Sequence, residues 1–226
     1  MSEPVLQAVS GPEARRAVAR SRAYATFARL FDYPDGELFE DVRDGTLAEA
    51  LRGVLAEVDP ALAASGNWAA LREAGGEPDD LAVEYTRLFD VGSSGPPCPL
   101  YGGLYGGARM KTMEEAVRFY NHFGLSMAES PRELPDHITT QLEFLHFLAF
   151  REAEALEGDD DPGPFQRAQR DFVSRHPGRW VPGLRARLEK NDPMPFFLEL
   201  VARLEDFLAH DARHLVALAG AAPTER

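Results

Sequence analysis

The sequence predicts an all-α fold, a single helical-bundle-like domain of about nine helices. Three observations predict it. Apolar residues recur at three- and four-residue spacing through most of the chain, the period of a helix face. No stretch alternates apolar and polar residues as a half-buried strand would. Pro and Gly fall mostly between the periodic segments, where they end helices. The chain has 226 residues, 44% hydrophobic and 27% charged, which suits one domain spanning 1–226 with a packed core.

The elements follow in order. "GPEARRAVARSRAYATFARLFDYP" has Pro12 near a helix start, an apolar stripe through Val18, Tyr24, Phe27, Leu30 and Phe31, and Pro34 as a stop. "GELFEDVRDGTLAEALRGVLAEV" reads as helix broken at Gly45, and "DPALAASGNWAALREAG" as a short pair of turns. "PDDLAVEYTRLF" opens with Pro and two acids, a favourable helix N-terminus, and sets Leu81, Tyr85, Leu88 and Phe89 on one face. The periodicity fails over 90–107, a Pro/Gly loop whose Leu100, Tyr101, Leu104 and Tyr105 need a surface to pack on. Helix resumes at "KTMEEAVRFYNHFGL", with Gly124 as its stop. The next helix lies in "SPRELPDHITTQLEFLHFL", and an acidic linker at 157–164 follows it. "FQRAQRDFVSRH", "PGRWVPGLRARLEKN" and "DPMPFFLELVARLEDFLAHDARHLVALAG" complete the chain.

Charge narrows the function. The net charge is -13, which disfavours nucleic acid and anionic membranes and favours a basic partner. Residues 129–161 hold ten acids and two arginines, whereas 81–128 are balanced at four against four. The N-terminus lacks a basic segment followed by an apolar one, and no run approaches the ~20 apolar residues of a membrane span. The expected location is cytoplasmic. One cysteine, Cys98, precludes an internal disulfide.

Several residues could carry chemistry. Glu143 and His146 form a Glu-x-x-His, but a di-iron bundle needs a second copy, which the chain lacks. His210 and His214 are four apart without a third zinc ligand in their motif. A helical-bundle metalloenzyme using Glu143, His146, His210 and His214 is thus the alternative reading. Cys98 would need a base such as His122 or His137 beside it. "YGGLYGG" lacks the Lys and Ser/Thr of a phosphate loop. Asp136 stands where a helix N-cap belongs, worth ~1 kcal/mol, either as a cap alone or as a cap that also shapes a docking site.

In order, "EYTRLF" (84–89), "PCPLYGGLY" (97–105), "FYNHFGL" (119–125) and "SPRELPDHITTQLEFL" (130–145) resemble the TorD/DmsD/NarJ family of molybdoenzyme assembly chaperones. The resemblance covers about residues 12–215. It implies a cytoplasmic all-helical protein with no catalytic residue, metal or cofactor of its own. Such a protein binds the twin-arginine signal peptide or N-terminus of a molybdopterin oxidoreductase catalytic subunit, and assists cofactor insertion before export. The matching positions imply client-peptide binding by Leu88, Phe89, Tyr101, Tyr105, Asp136 and His137, in a monomer or homodimer, and Glu133 is placed to meet a client arginine. A groove of apolar residues beside acids would suit a peptide with a basic and an apolar part.

Overall fold

Residues 11–34, 36–77, 79–93, 95–128 and 133–220 are described in the computed structural model. They form ten α-helices: α1 (Pro12–Leu30), α2 (Gly36–Asp44), α3 (Thr46–Val58), α4 (Pro60–Ala64), α5 (Asp80–Tyr85), α6 (Arg109–His122), α7 (Ile138–Glu157), α8 (Gly163–Arg175), α9 (Pro177–Leu188) and α10 (Pro195–Gly220). One of these, α4, is little more than a single turn. No strand occurs among the described residues, and the all-α expectation holds.

The helix boundaries follow from local chemistry. Pro12 and Pro177 occupy first-turn positions, where a missing N–H costs nothing. Gly45 separates α2 from α3 at φ +88°, a left-handed conformation that suits Gly. Asp59 caps α4 by accepting the Ala61 N–H at 2.8 Å. The segment 86–90 continues α5 as a wider π turn, in which Val91 N–H reaches back to Thr86 O at 3.0 Å. This widening buries Leu88 and Phe89 together and leaves Arg87 outside.

Helices α1 and α7 pack along much of their length, and α3 also lies against α1. Helix α10 closes the bundle against α8 and α9. One apolar cluster runs through Tyr24, Phe27, Leu51, Leu145, Phe172, Leu184 and Phe207, all at most 1% exposed. Each such side chain contributes about 1.5–3 kcal/mol by leaving water.

A charged group sits inside this apolar bundle. Arg20 of α1 is 1% exposed and donates to Glu152 of α7 at 2.7 Å and to Gln169 of α8 at 2.5 Å. It also pairs through two nitrogens with Asp211 of α10. Tyr24 OH donates to Asp211 at 2.5 Å, and Gln166 and Gln169 donate to Glu152 at 3.0 and 2.8 Å. Burial alone would lower the Arg20 pKa, but Asp211 and Glu152 more than offset it and raise it. His146 ties α7 to α1 a second time, through Ser21 O at 3.0 Å.

His176, between α8 and α9, is buried, and neither ring nitrogen has a hydrogen-bond partner among the described residues. Its ring lies 4.4 Å from that of Phe172 and 5.7 Å from that of Phe119. Burial lowers its pKa to about 4, with Glu115 opposing and Arg175 and Arg179 adding.

Two stability predictions follow. Arg20→Ala strands two buried carboxylates and is expected to cost about 3–5 kcal/mol in urea unfolding. For His176, the unfolded chain takes up a proton near pH 6.5 and the folded chain only near pH 4. The stability conferred by the neutral ring is therefore complete above pH 6.5 and lost as pH falls toward 4. His176→Phe should gain stability relative to the unsubstituted chain across that window. Parallel acid-unfolding curves for the two proteins would refute the assignment.

Candidate functional site

The Pro/Gly loop and the start of α7 build one corner. Gly102 N–H donates to Asp136 O at 2.9 Å, and Ile138 N–H donates to Leu100 O at 2.9 Å, a short antiparallel bridge. Close approach here requires glycine. A Cβ on Gly102 would lie 2.7 Å from Trp180 Nε1, and one on Gly103 would lie 2.9 Å from Asp136 Oδ2 and 3.0 Å from Arg109 Cα.

Asp136 is not the cap of α7. His137 is: its Nδ1 accepts the Thr139 N–H at 3.3 Å and lies 2.6 Å from Thr139 Oγ1. Asp136 turns inward instead. It is fully buried, and its Oδ2 accepts the Gly103 N–H at 3.0 Å. Its other carboxylate oxygen has no hydrogen-bond partner among the described residues. The cap fell one residue later because the loop supplies a buried N–H that needs an acceptor.

Gln141 ties the corner to α9. Its amide donates to Asp136 O at 3.2 Å and accepts from Trp180 Nε1 at 3.0 Å. The Trp180 ring stacks on Tyr105 at 5.1 Å, and the Arg187 guanidinium covers the Tyr105 ring at 4.3 Å. Tyr105 OH donates to Pro99 O at 2.8 Å.

The predicted site residues divide by exposure. Leu88, Phe89, Asp136 and His137 are 0, 2, 0 and 4% exposed and present almost no surface. Tyr101, Tyr105 and Glu133 remain partly exposed. Tyr101 OH donates to Glu133 Oε2 at 2.7 Å, and His137 Nε2 lies 3.8 Å from the same oxygen. The Tyr101 and His137 rings are 4.9 Å apart. Because His137 Nδ1 accepts, its ring proton sits on Nε2, facing Glu133. Burial first, then the bond to Glu133, pushes the Tyr101 phenol up in pKa.

Glu133 opens onto a cavity of about 400 Å³ beside α7. Tyr120, Leu125, Met127 and Phe144 supply its apolar lining, and Asp32, Glu133 and Glu143 its acids. Thr139, held by His137, lines it too. Asp90 lies close enough that its pKa is raised, first by burial and then by Glu133. Sequence reasoning reached Glu133 but missed Asp32, Leu125 and Met127. The acid-rich 129–161 segment was a signal for the charge. No local pattern linked it to Asp32, a hundred residues away.

The alternative chemistries lose their parts. His146 is engaged by Ser21, and His210 lies 3.7 Å from Asp59. Glu143 lines the cavity, and burial followed by Arg20 lowers the pKa of His214. No group of three or more His, Cys, Asp or Glu is placed to hold a metal among the described residues. Cys98 is buried and its thiol is pushed up to about 11, so it stays protonated at neutral pH.

Comparison with known proteins places this chain among assembly chaperones. A family model described as nitrate reductase delta subunit matches residues 44–186. The chain is 33% identical over 176 residues to a chlorate reductase assembly chaperone protein of Ideonella dechloratans, covering 77% of this chain and 79% of that one. It is 34% identical over 176 residues to a selenate reductase assembly chaperone protein of Thauera selenatis, with the same coverage of 77% and 79%. It is also 34% identical over 204 residues to a dimethyl sulfide dehydrogenase assembly chaperone protein of Rhodovulum sulfidophilum, covering 84% and 79%. The chain belongs to the TorD/NarJ family of molybdoenzyme assembly chaperones, whose members are chaperones and not enzymes.

The corner makes a direct stability prediction. Asp136→Ala leaves the buried Gly103 N–H unpaired and should cost about 1–3 kcal/mol, read from the urea midpoint. An unshifted midpoint would mean that Asp136 does not hold the loop.

Proposed function

We propose that this chaperone binds the N-terminal segment of a molybdopterin oxidoreductase catalytic subunit, either a twin-arginine signal peptide or its remnant. It holds the subunit in the cytoplasm while the cofactor is inserted and releases it for export. The observation that carries this reading is the cavity of about 400 Å³, where a partly exposed apolar lining meets three carboxylates. A segment with arginines followed by apolar residues matches both features. Leu125 and Met127 meet the apolar part, and Met127 is an unbranched side chain that adapts to varied sequences. Asp32, Glu133 and Glu143 meet the basic part. Tyr101 and Tyr105 extend the contact along the loop. The buried residues act indirectly: His137 sets Glu133 and Thr139, Asp136 holds the loop, and Leu88 and Phe89 support the packing beneath.

The family membership and the absence of any helix long and apolar enough to cross a membrane, among the described residues, support this reading. The client is the catalytic subunit of a reductase or dehydrogenase like those assembled by the relatives.

The reading is tested by calorimetry with the N-terminal peptide of the oxidoreductase produced alongside this chaperone. Glu133→Lys combined with Glu143→Lys should weaken binding at least about tenfold, roughly 1.4 kcal/mol. The circular dichroism spectrum should be unchanged, because both side chains are at least partly exposed. Full affinity in the folded double variant would exclude the cavity as the peptide site.

A further inference from the structure

Charge on this protein is segregated in space. Helices α6, α8 and α9 together carry nine Lys and Arg against three Asp and Glu, in a chain whose net charge is -13. A cleft of about 420 Å³ runs between α6 and α8. Phe119 and Phe123 line it, with Arg118 and His122 of α6 on one side and Arg167 of α8 on the other.

Neighbouring charges are already satisfied. Arg175 pairs with Glu115 at 3.2 Å, and Asp171, the acid of this cleft, pairs with Arg170 at 2.8 Å. Arg118 and Arg167 have no ion-pair partner among the described residues, and both are exposed. The aromatic rings that line the cleft with them are fixed. Phe119 meets Phe172 edge-on at 5.2 Å, and Phe123 lies 5.8 Å from Phe165.

We propose that this cleft is a second docking site, which takes an acidic segment of a partner protein carrying an aromatic side chain. Arginine and aromatic residues are enriched at protein interfaces, and guanidinium groups bind carboxylates in bidentate fashion. A small anion would call for an enclosed site with a few buried polar groups aimed at it. Here the cations are long, exposed and spread across two helices, the pattern of an open surface. The site is separate from the acidic cavity and opposite to it in sign. Helix α6 stands between them, with Tyr120 lining the cavity and Phe119 lining the cleft. The proposal therefore does not depend on what occupies the cavity.

The test uses the full chain and a synthetic acidic peptide with a central Phe flanked by Asp and Glu. Calorimetry should show binding that weakens as salt rises. Arg118→Glu with Arg167→Glu should reduce affinity at least about tenfold by replacing attraction with repulsion. The milder Arg118→Gln with Arg167→Gln should move it in the same direction. Binding of the basic client peptide should persist in both variants. The proposal is overturned if the unsubstituted chain does not bind the acidic peptide, or if the Glu variant binds it equally well. It is also overturned if inorganic pyrophosphate displaces the peptide while binding more tightly, which would make the cleft a small-anion site.

Discussion

The buried guanidinium of Arg20 is the constraint on which this bundle depends. A lone charge in an apolar interior is expensive, so helices around it must bring their partners to within hydrogen-bonding distance. Glu152, Gln169 and Asp211 come from three different helices and meet Arg20 on a fourth. Apolar packing tolerates small slips, because one methyl group can replace another as a neighbour. The Arg20 cluster does not, since a shift of one residue would leave carboxylates unpaired. It thereby selects one register for α1, α7, α8 and α10.

That register reaches the candidate site through α7. Gln141 and Glu152 are eleven residues apart, close to three full turns, so they lie on one face roughly 16 Å apart along the helix. Glu152 is held by the Arg20 cluster, and Gln141 is held by Trp180 and by the backbone of Asp136. The far end of the helix is fixed by charge, and the near end by an amide. The loop is then anchored to the near end through Asp136, and Glu133 is presented at the cavity by Tyr101 and His137. The buried pair Asp136 and His137 thus contributes geometry, and the partly exposed residues around it contribute surface.

Helix α6 divides two environments of opposite charge. Successive residues on a helix point about 100° apart, so Phe119 and Tyr120 address different spaces. Tyr120 closes the back of the acidic cavity and donates to Pro135 O at 2.7 Å, while Phe119 packs toward α8 and His176. A strongly acidic chain can in this way keep a cleft lined by arginines and aromatic rings on one side of α6.

The all-helical class, the break at Gly45 and the family itself were legible in the sequence, because each rests on local period, local punctuation or a local motif. Even the Arg20 cluster left a trace, since Ala17, Arg20, Tyr24 and Phe27 follow the apolar spacing and put a charge where a core residue belongs. The inward turn of Asp136 was not legible. A cap and an inward-facing carboxylate look alike in sequence, and the choice was made by the Gly103 N–H, which the loop buries beside it. The cavity was not legible either, because Asp32, Met127 and Glu143 meet only after α7 is docked. Sequence carries the chemistry of each residue and its helical face. Which faces meet, and which polar groups lose water and must find partners, is settled only when the helices pack.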